Sequence, residues 1–179
     1  MSELRVYSEN GPPSESVCIG PAEIRRELGE IGVNFERWRA DSALSAEATS
    51  DEVIAAYRRD IDRLMNDCGF SSVDVLRMTP DHPDRDALRA KFLEEHTHAE
   101  FEVRFFVEGS GLFYLHARER VYAVICEQGD LISVPHGTAH WFDMGPRPSF
   151  TAIRLFTNPE GWVANFTGSD IASRFPRYE

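Results

Sequence analysis

The chain has 179 residues and a formal net charge of -11, with 30 acidic against 19 basic side chains. That length suits one domain with a substantial core, and the acidic balance argues against nucleic acid or an anionic membrane as a partner. No apolar run approaches the roughly 20 residues of a membrane span, and Met1-Ser2-Glu3-Leu4-Arg5 is no secretory signal.

Three cysteines without C-x-x-C spacing (Cys18, Cys68, Cys126) read as free thiols of a cytoplasmic protein. Leu4-Arg5-Val6-Tyr7 alternates and predicts a first strand, which Gly11-Pro12-Pro13 ends. Pro21 opens a short helix in which Ile24, Leu28 and Ile31 recur at helical spacing, limited by Gly29 and Gly32. Phe35 and Trp38 read as packing residues. Thr49 and Glu52 have capping-box spacing. From there Val53, Tyr57, Ile61, Leu64 and Met65 hold one face of a single helix that runs to Gly69, with Arg58, Arg59, Asp62 and Arg63 as its solvated side. Val73, Val75 and Leu76 predict a strand, residues 79–84 a turn, and residues 84–92 a third helix with Leu88 and Phe92 on one face. His82, in the turn, reads as a surface residue.

Strand signals dominate the second half. In 101–107, Phe101, Val103, Phe105 and Val107 face one way and Glu102, Arg104 and Phe106 the other. Gly109-Ser110-Gly111 predicts a hairpin turn. Residues 112–115 and 121–126 pair around 117–120, Gln128-Gly129-Asp130 turns the chain again, and 131–134, 140–143 and 150–156 are further strands. Residues 144–148 form a loop with strong breakers. Short strands with regular turn signals predict a mainly β sandwich or barrel with the N-terminal helices packed outside. The organisation expected is one domain over 1–179, with an N-terminal helical and strand part (1–84), a barrel core (85–160) and a C-terminal tail (161–179). A monomer is expected, because a closed barrel hides its edges.

The chemistry concentrates in Glu95-His96-Thr97-His98-Ala99-Glu100-Phe101-Glu102 and in the later Gly129 to His140. Histidines at i and i+2 on a strand project to one face, and Glu100 and Glu102 both share that parity if the strand is continuous. A turn after His98 would break the parity, so Glu100 and Glu102 compete for the same role. Three neutral imidazoles and a carboxylate suit a first-row divalent ion such as Fe, Ni, Co, Zn or Mn. Four protein ligands on an octahedral ion leave two adjacent positions for a substrate that chelates through two oxygens.

The spacing His-x-His-x3-Glu-x6-Gly is met by His96, His98, Glu102 and Gly109, and Gly-x5-Pro-x-Gly-x2-His by Gly129, Pro135, Gly137 and His140. These resemble the two motifs of the cupin superfamily, although Met144 stands where the second motif usually has Asn. The Glu-His-x-His-x3-Glu-x-Arg-Phe core, the run Pro135 to Asp143 and Ile153-Arg154-Leu155-Phe156 resemble more closely the acireductone dioxygenase family of methionine salvage. The likeness is sharpest over 92–162 and extends more loosely over most of the chain.

The resemblance implies a cupin barrel (a double-stranded β-helix, or jelly roll) and one Fe(II) or Ni(II) per chain on His96, His98, Glu102 and His140. It implies O2 and an anionic enediol, 1,2-dihydroxy-3-keto-5-methylthiopentene, as substrates. Phe92, Phe142 and Trp162 would surround the substrate's carbon tail, and each reads equally well as a packing residue. Arg104 shares the parity of Glu102, and Arg154 interrupts an apolar strand. A buried guanidinium is costly unless paired, so each reads either as a salt bridge to an internal acid such as Glu100 or as an anion receptor beside the metal. His136 reads as exposed or in contact with backbone, and His116 as structural. Two alternatives compete with this reading: a different metal-dependent cupin enzyme, such as another dioxygenase or a sugar-phosphate isomerase that works without O2, and a cupin that only stores or senses a ligand.

Overall fold

The computed structural model describes residues 1–158 and 162–179. In chain order its elements are β1 (Glu3–Ser8), β2 (Gly11–Ile19), α1 (Pro21–Gly29), β3 (Asn34–Arg37), α2 (Ser50–Ala56), α3 (Arg58–Cys68), β4 (Ser72–Met78) and α4 (Arg85–Phe92). Then come β5 (His96–Thr97), β6 (Glu102–Ala117), β7 (Arg120–Glu127), β8 (Asp130–Val134), β9 (Ala139–Asp143), β10 (Phe150–Phe156) and β11 (Asn165–Phe166), followed by a single 3-10 turn at Ile171–Arg174.

Two antiparallel sheets share the long strand β6. One runs β11-β5-β9-β6-β7-β1-β2; in the other β6 lies between β8 and β10, with β3 and β4 beyond them. The first half of β6 pairs with β8 and β10, the second with β7 and β9. Residues 109–111 are therefore a corner within one strand and not the hairpin turn their glycines predict. The register against β10 shifts between Thr151 and Ala152, which leaves Val107 as an extra residue. This bulge inverts the parity. Before it, Glu102, Arg104 and Phe106 face the interior; after it, Phe113 and Leu115 do. Gly109 has φ +74°, and a Cβ there would lie 2.0 Å from the Ser149 carbonyl oxygen. A Cβ on Gly111 would lie 2.4 Å from the Phe142 ring. The glycines thus permit close approach at the corner.

The barrel interior is a cluster drawn from both sheets, including Leu4, Val6, Phe35, Phe106, Phe113, Ile132 and Phe150, closed on one side by Ile24 and Leu28 of α1. Helices α2 and α3 cover the outside of the second sheet, where Tyr57, Ile61 and Leu64 pack with Val103, Phe105 and Leu155. The C-terminal segment covers the outside of the first sheet, with Ile171 and Phe175 against Tyr114 and Trp141.

Several expectations change here. Gly11-Pro12-Pro13 does not end the first strand but opens β2, an edge strand, where a proline needs no ladder partner. Phe35 packs in the core as expected, from a strand the sequence did not reveal, β3, which pairs with β8. The helix expected from Thr49 to Gly69 is two helices. Its capping box forms at Thr49 and Glu52 and its left-handed cap at Gly69, but the backbone turns at Tyr57, whose ring packs 4.7 Å from Phe105. His82 is half-buried, its Nδ1 accepting from the Asp84 amide within the turn. No helix among the described residues is long and apolar enough to cross a membrane.

Candidate metal centre

β5 ends at Thr97, and the chain bends over Ala99 and Glu100 before β6 begins at Glu102. The bend decides between the two carboxylates. Glu100 turns aside and accepts a hydrogen bond from Thr157 Oγ1. Glu102, first on β6, faces inward beside the histidines. His96 pairs directly with His140 across β5 and β9. The result is one buried group, His96, His98, Glu102 and His140, whose candidate ligand atoms all lie within 4.8 Å of one another.

The hydrogen bonds show which ring atoms face the centre. Nδ1 of His96 lies 2.7 Å from the Glu94 carbonyl, that of His98 3.0 Å from Val163 O and that of His140 2.8 Å from Thr138 O. A ring nitrogen facing a carbonyl must donate, so each Nδ1 carries its proton and each Nε2 presents a lone pair. Nε2 of His98 and of His140 lie 2.8 and 3.0 Å from the same oxygen, Glu102 Oε2. Lone pairs facing a carboxylate repel unless a cation lies among them, and a divalent ion fits that donor set.

The ionisable groups bear the same stamp. Burial, then the charge of His140, lowers His96 to about 4. Burial also lowers His98, but the Glu102 carboxylate against its Nε2 outweighs this and raises it, as a cation at that position would be favoured. Burial would raise Glu102; the Arg104 charge, first among the opposing causes, and the close His140 and His98 rings hold it well below the usual carboxylate range.

Above the group opens a cavity of about 410 Å3, lined by Asp74, Leu88, Lys91, Phe92, His96, His98, Glu102, Arg104, Phe142, Arg154, Phe156, Trp162 and Ala164. Arg104 is the distinctive residue. Its Nη2 donates to Glu102 Oε1 at 3.1 Å, while its buried Nε and Nη1 have no hydrogen-bond partner among the described residues. Four rings enclose its guanidinium: Phe142 at 4.7 Å, Phe113 at 5.4 Å, Trp162 at 5.7 Å and Phe92 at 6.0 Å. Stacking offsets part of the cost of burying it, and a guanidinium with two unpartnered nitrogens suits an anionic ligand nearby.

Arg154 is placed differently. Its Nε and Nη2 donate to Asp74 at 2.8 and 2.6 Å, so its acidic partner is the half-exposed Asp74 and not Glu100. It still lines the cavity, stacked 5.3 Å from Phe156 and 5.6 Å from Trp162. Asp74 escaped the sequence reading, because only the register of β4 against β10 sets it opposite Arg154. Trp162, half-buried, donates its indole N–H to Phe101 O at 2.9 Å. His136 is exposed, and His116 lies apart from the centre, bonded to Glu95 and Glu9.

The family model described as "ARD/ARD' family" matches residues 3–164. A curated acireductone dioxygenase of Aquifex aeolicus is 58% identical over 179 residues, covering 100% of this chain and 97% of the relative. The chain belongs to the acireductone dioxygenase family. A second acireductone dioxygenase, from Pseudomonas aeruginosa, is 59% identical over 180 residues, covering 100% of this chain and 99% of the relative. Among solved structures, the acireductone dioxygenase from Bacillus anthracis with a cadmium ion in its active centre superposes with a TM-score of 0.80 at 28% identity, covering 93% of this chain and 98% of that one. The mainly β barrel is thus the cupin fold of the family, with α2 and α3 packed outside it.

Proposed function

We propose that the chain acts as the acireductone dioxygenase of methionine salvage, oxidising 1,2-dihydroxy-3-keto-5-methylthiopentene with O2. One observation carries the reading: a group of three histidines and one glutamate lies at the base of a cavity that is also lined by a buried arginine with two unpartnered nitrogens. One Fe(II) or Ni(II) per chain, held by His96, His98, Glu102 and His140, would supply Lewis acidity and a template on which an enediol chelates through two oxygens. In the iron form the products are 4-methylthio-2-oxobutanoate and formate; in the nickel form they are 3-methylthiopropanoate, formate and carbon monoxide. The enzyme works in the cytoplasm as a monomer.

The chain's own groups do the rest. The three Nδ1–H bonds to carbonyls fix the imidazole planes, so no reorganisation is needed when the lone pairs are used. Arg104, which lines the cavity, supplies the positive charge that stabilises the bound enediol in a site walled by aromatic rings. Its contact to Glu102 keeps it aimed at the centre. Arg154, its charge shared with Asp74, contributes a weaker field at the mouth. Phe92, Phe142 and Trp162, with Leu88, form the apolar wall for the methylthio tail.

The test is product analysis with Fe(II)-loaded and Ni(II)-loaded protein, in air and without O2. Consumption of acireductone that requires O2, with the product set switching with the metal, supports the reading. Turnover without O2 would favour a cupin isomerase instead.

A further inference from the structure

Helix α4 supplies one side of the cavity through Leu88, Lys91 and Phe92, yet no residue of this helix is fully buried. Only Leu88 and Phe92 pack on the barrel core, and Phe92 meets Phe142 at a tilt, with ring centroids 6.2 Å apart. Apolar contact alone holds such a helix weakly. Among the described residues, the hydrogen-bonded side-chain contact of α4 to the barrel is made by Arg89. Its Nε and Nη2 donate to Asp143 Oδ1 and Oδ2 at 2.9 and 3.2 Å, a two-point contact that fixes direction as well as distance.

Asp143 is fully enclosed and stands at the end of β9, one residue beyond Phe142 and three beyond His140. The C-terminal residues close over the pair. The Tyr178 amide donates to Asp143 Oδ2 at 2.9 Å, the Tyr178 carbonyl accepts from Arg89 Nη2 at 3.3 Å, and the Tyr178 hydroxyl lies 2.7 Å from Ser110 Oγ at the corner of β6. The Gly145 amide is a further donor to Asp143 Oδ1, at 2.9 Å. One carboxylate therefore ties together the helix that forms the wall, the strand that carries Phe142 and His140, and the end of the chain.

We propose that Arg89 and Asp143, closed over by Tyr178, are positioning residues that latch α4 against β9 and so set the width of the substrate wall. The inference rests on the dioxygenase reading for the identity of the substrate. Its physical content is that the latch acts on the tail of the substrate and not on the metal. His96 is held by its pairing with His140 across β5 and β9, so loosening α4 leaves the donor group intact.

The experiment compares full-length Arg89→Gln with its parent, both loaded with Fe(II), on acireductones with the methylthioethyl tail and with a single methyl tail. The parent's metal-dependent O2 uptake decides the dioxygenase reading before any variant is considered. For Arg89→Gln, metal content stays at the parent level and kcat within about twofold, while KM for the long-tailed substrate rises about tenfold and the preference over the short tail falls by a similar factor. Arg89→Lys recovers only part, because a point charge does not reproduce the two-point contact. Unchanged KM and tail preference, or loss of metal and kcat together, overturns the proposal. Should Arg89→Gln fail to fold, a chain lacking Tyr178 and Glu179 keeps the ion pair but loses its cover. The same directional loss of tail preference supports the latch, and unchanged preference overturns it.

Discussion

Glu102 Oε1 and Arg104 Nη2 lie 3.1 Å apart, both side chains buried, two positions apart on the same inward face of β6. This contact joins the donor group to the anion receptor. The carboxylate faces the metal position with Oε2, between His98 and His140, and steers the guanidinium with Oε1. A single strand thus delivers the ligand and the charge that would balance the substrate, at a spacing fixed by the pleat.

Replacing the donors removes metal and activity together. His96→Ala, His98→Ala and His140→Ala each leave three of the four donors, and metal content by elemental analysis should fall in parallel with turnover. Any one of them that keeps full metal and full rate does not belong to the centre.

The two arginines should separate. Arg104→Gln keeps the metal, while kcat/KM falls by about 10²-fold or more, as for loss of a preorganised donor to developing charge. Arg154→Gln has the smaller effect, about tenfold or less, because Asp74 already takes up its charge. Steady-state kinetics on metal-matched preparations checks the order; the reverse order would make Arg154 the principal anion receptor.

The identity of the centre was legible because its spacing is local: His96, His98 and Glu102 lie within seven residues, and His140 sits in a second motif of its own. Which carboxylate joins them was open at the level of strand parity, since Glu100 and Glu102 share it; the family spacing pointed to Glu102, and the bend at Ala99–Glu100 is what turns Glu100 away. The corner at Gly109–Gly111 was misread for a physical reason: a corner within a strand and a hairpin turn can both use a glycine at positive φ, and only the partner strands distinguish them. Strands β2 and β3 were missed because neither alternates clearly, β2 being an edge that carries two prolines. Asp74 and the Arg89–Asp143 pair depend on contacts 80 and 54 residues apart, beyond any local pattern.

The corner gives its own prediction. Gly109→Ala would need a side chain at φ +74° and 2.0 Å from a carbonyl oxygen, so the backbone of β6 or of Ser149 must shift. The cost should be about 2–4 kcal/mol, from left-handed strain together with overpacking. Chemical denaturation measures it, and a variant as stable as the parent would contradict the tight corner.

Glu36 predicts an acid-side loss of stability. Burial would raise its carboxyl, but hydrogen bonds from Arg63 of α3 and from Trp38 outweigh that and lower it. A depressed carboxylate contributes stability that is fully present above its unfolded value, roughly 4.3, and that is lost as pH falls through the folded value. Glu36→Gln should therefore lower stability near neutral pH and flatten the acid limb of the stability profile. An acid limb identical to the parent's would show that the contact contributes nothing.

The most direct test of the account is O2 consumption by metal-stripped and Fe(II)-reconstituted protein given freshly generated acireductone, with the bound iron measured in the same samples. Rapid uptake proportional to bound iron, near one iron per chain, and uptake at the background rate without metal are the predicted results. Uptake at background with iron shown to be bound would contradict the account, leaving a cupin metal centre that serves a different substrate.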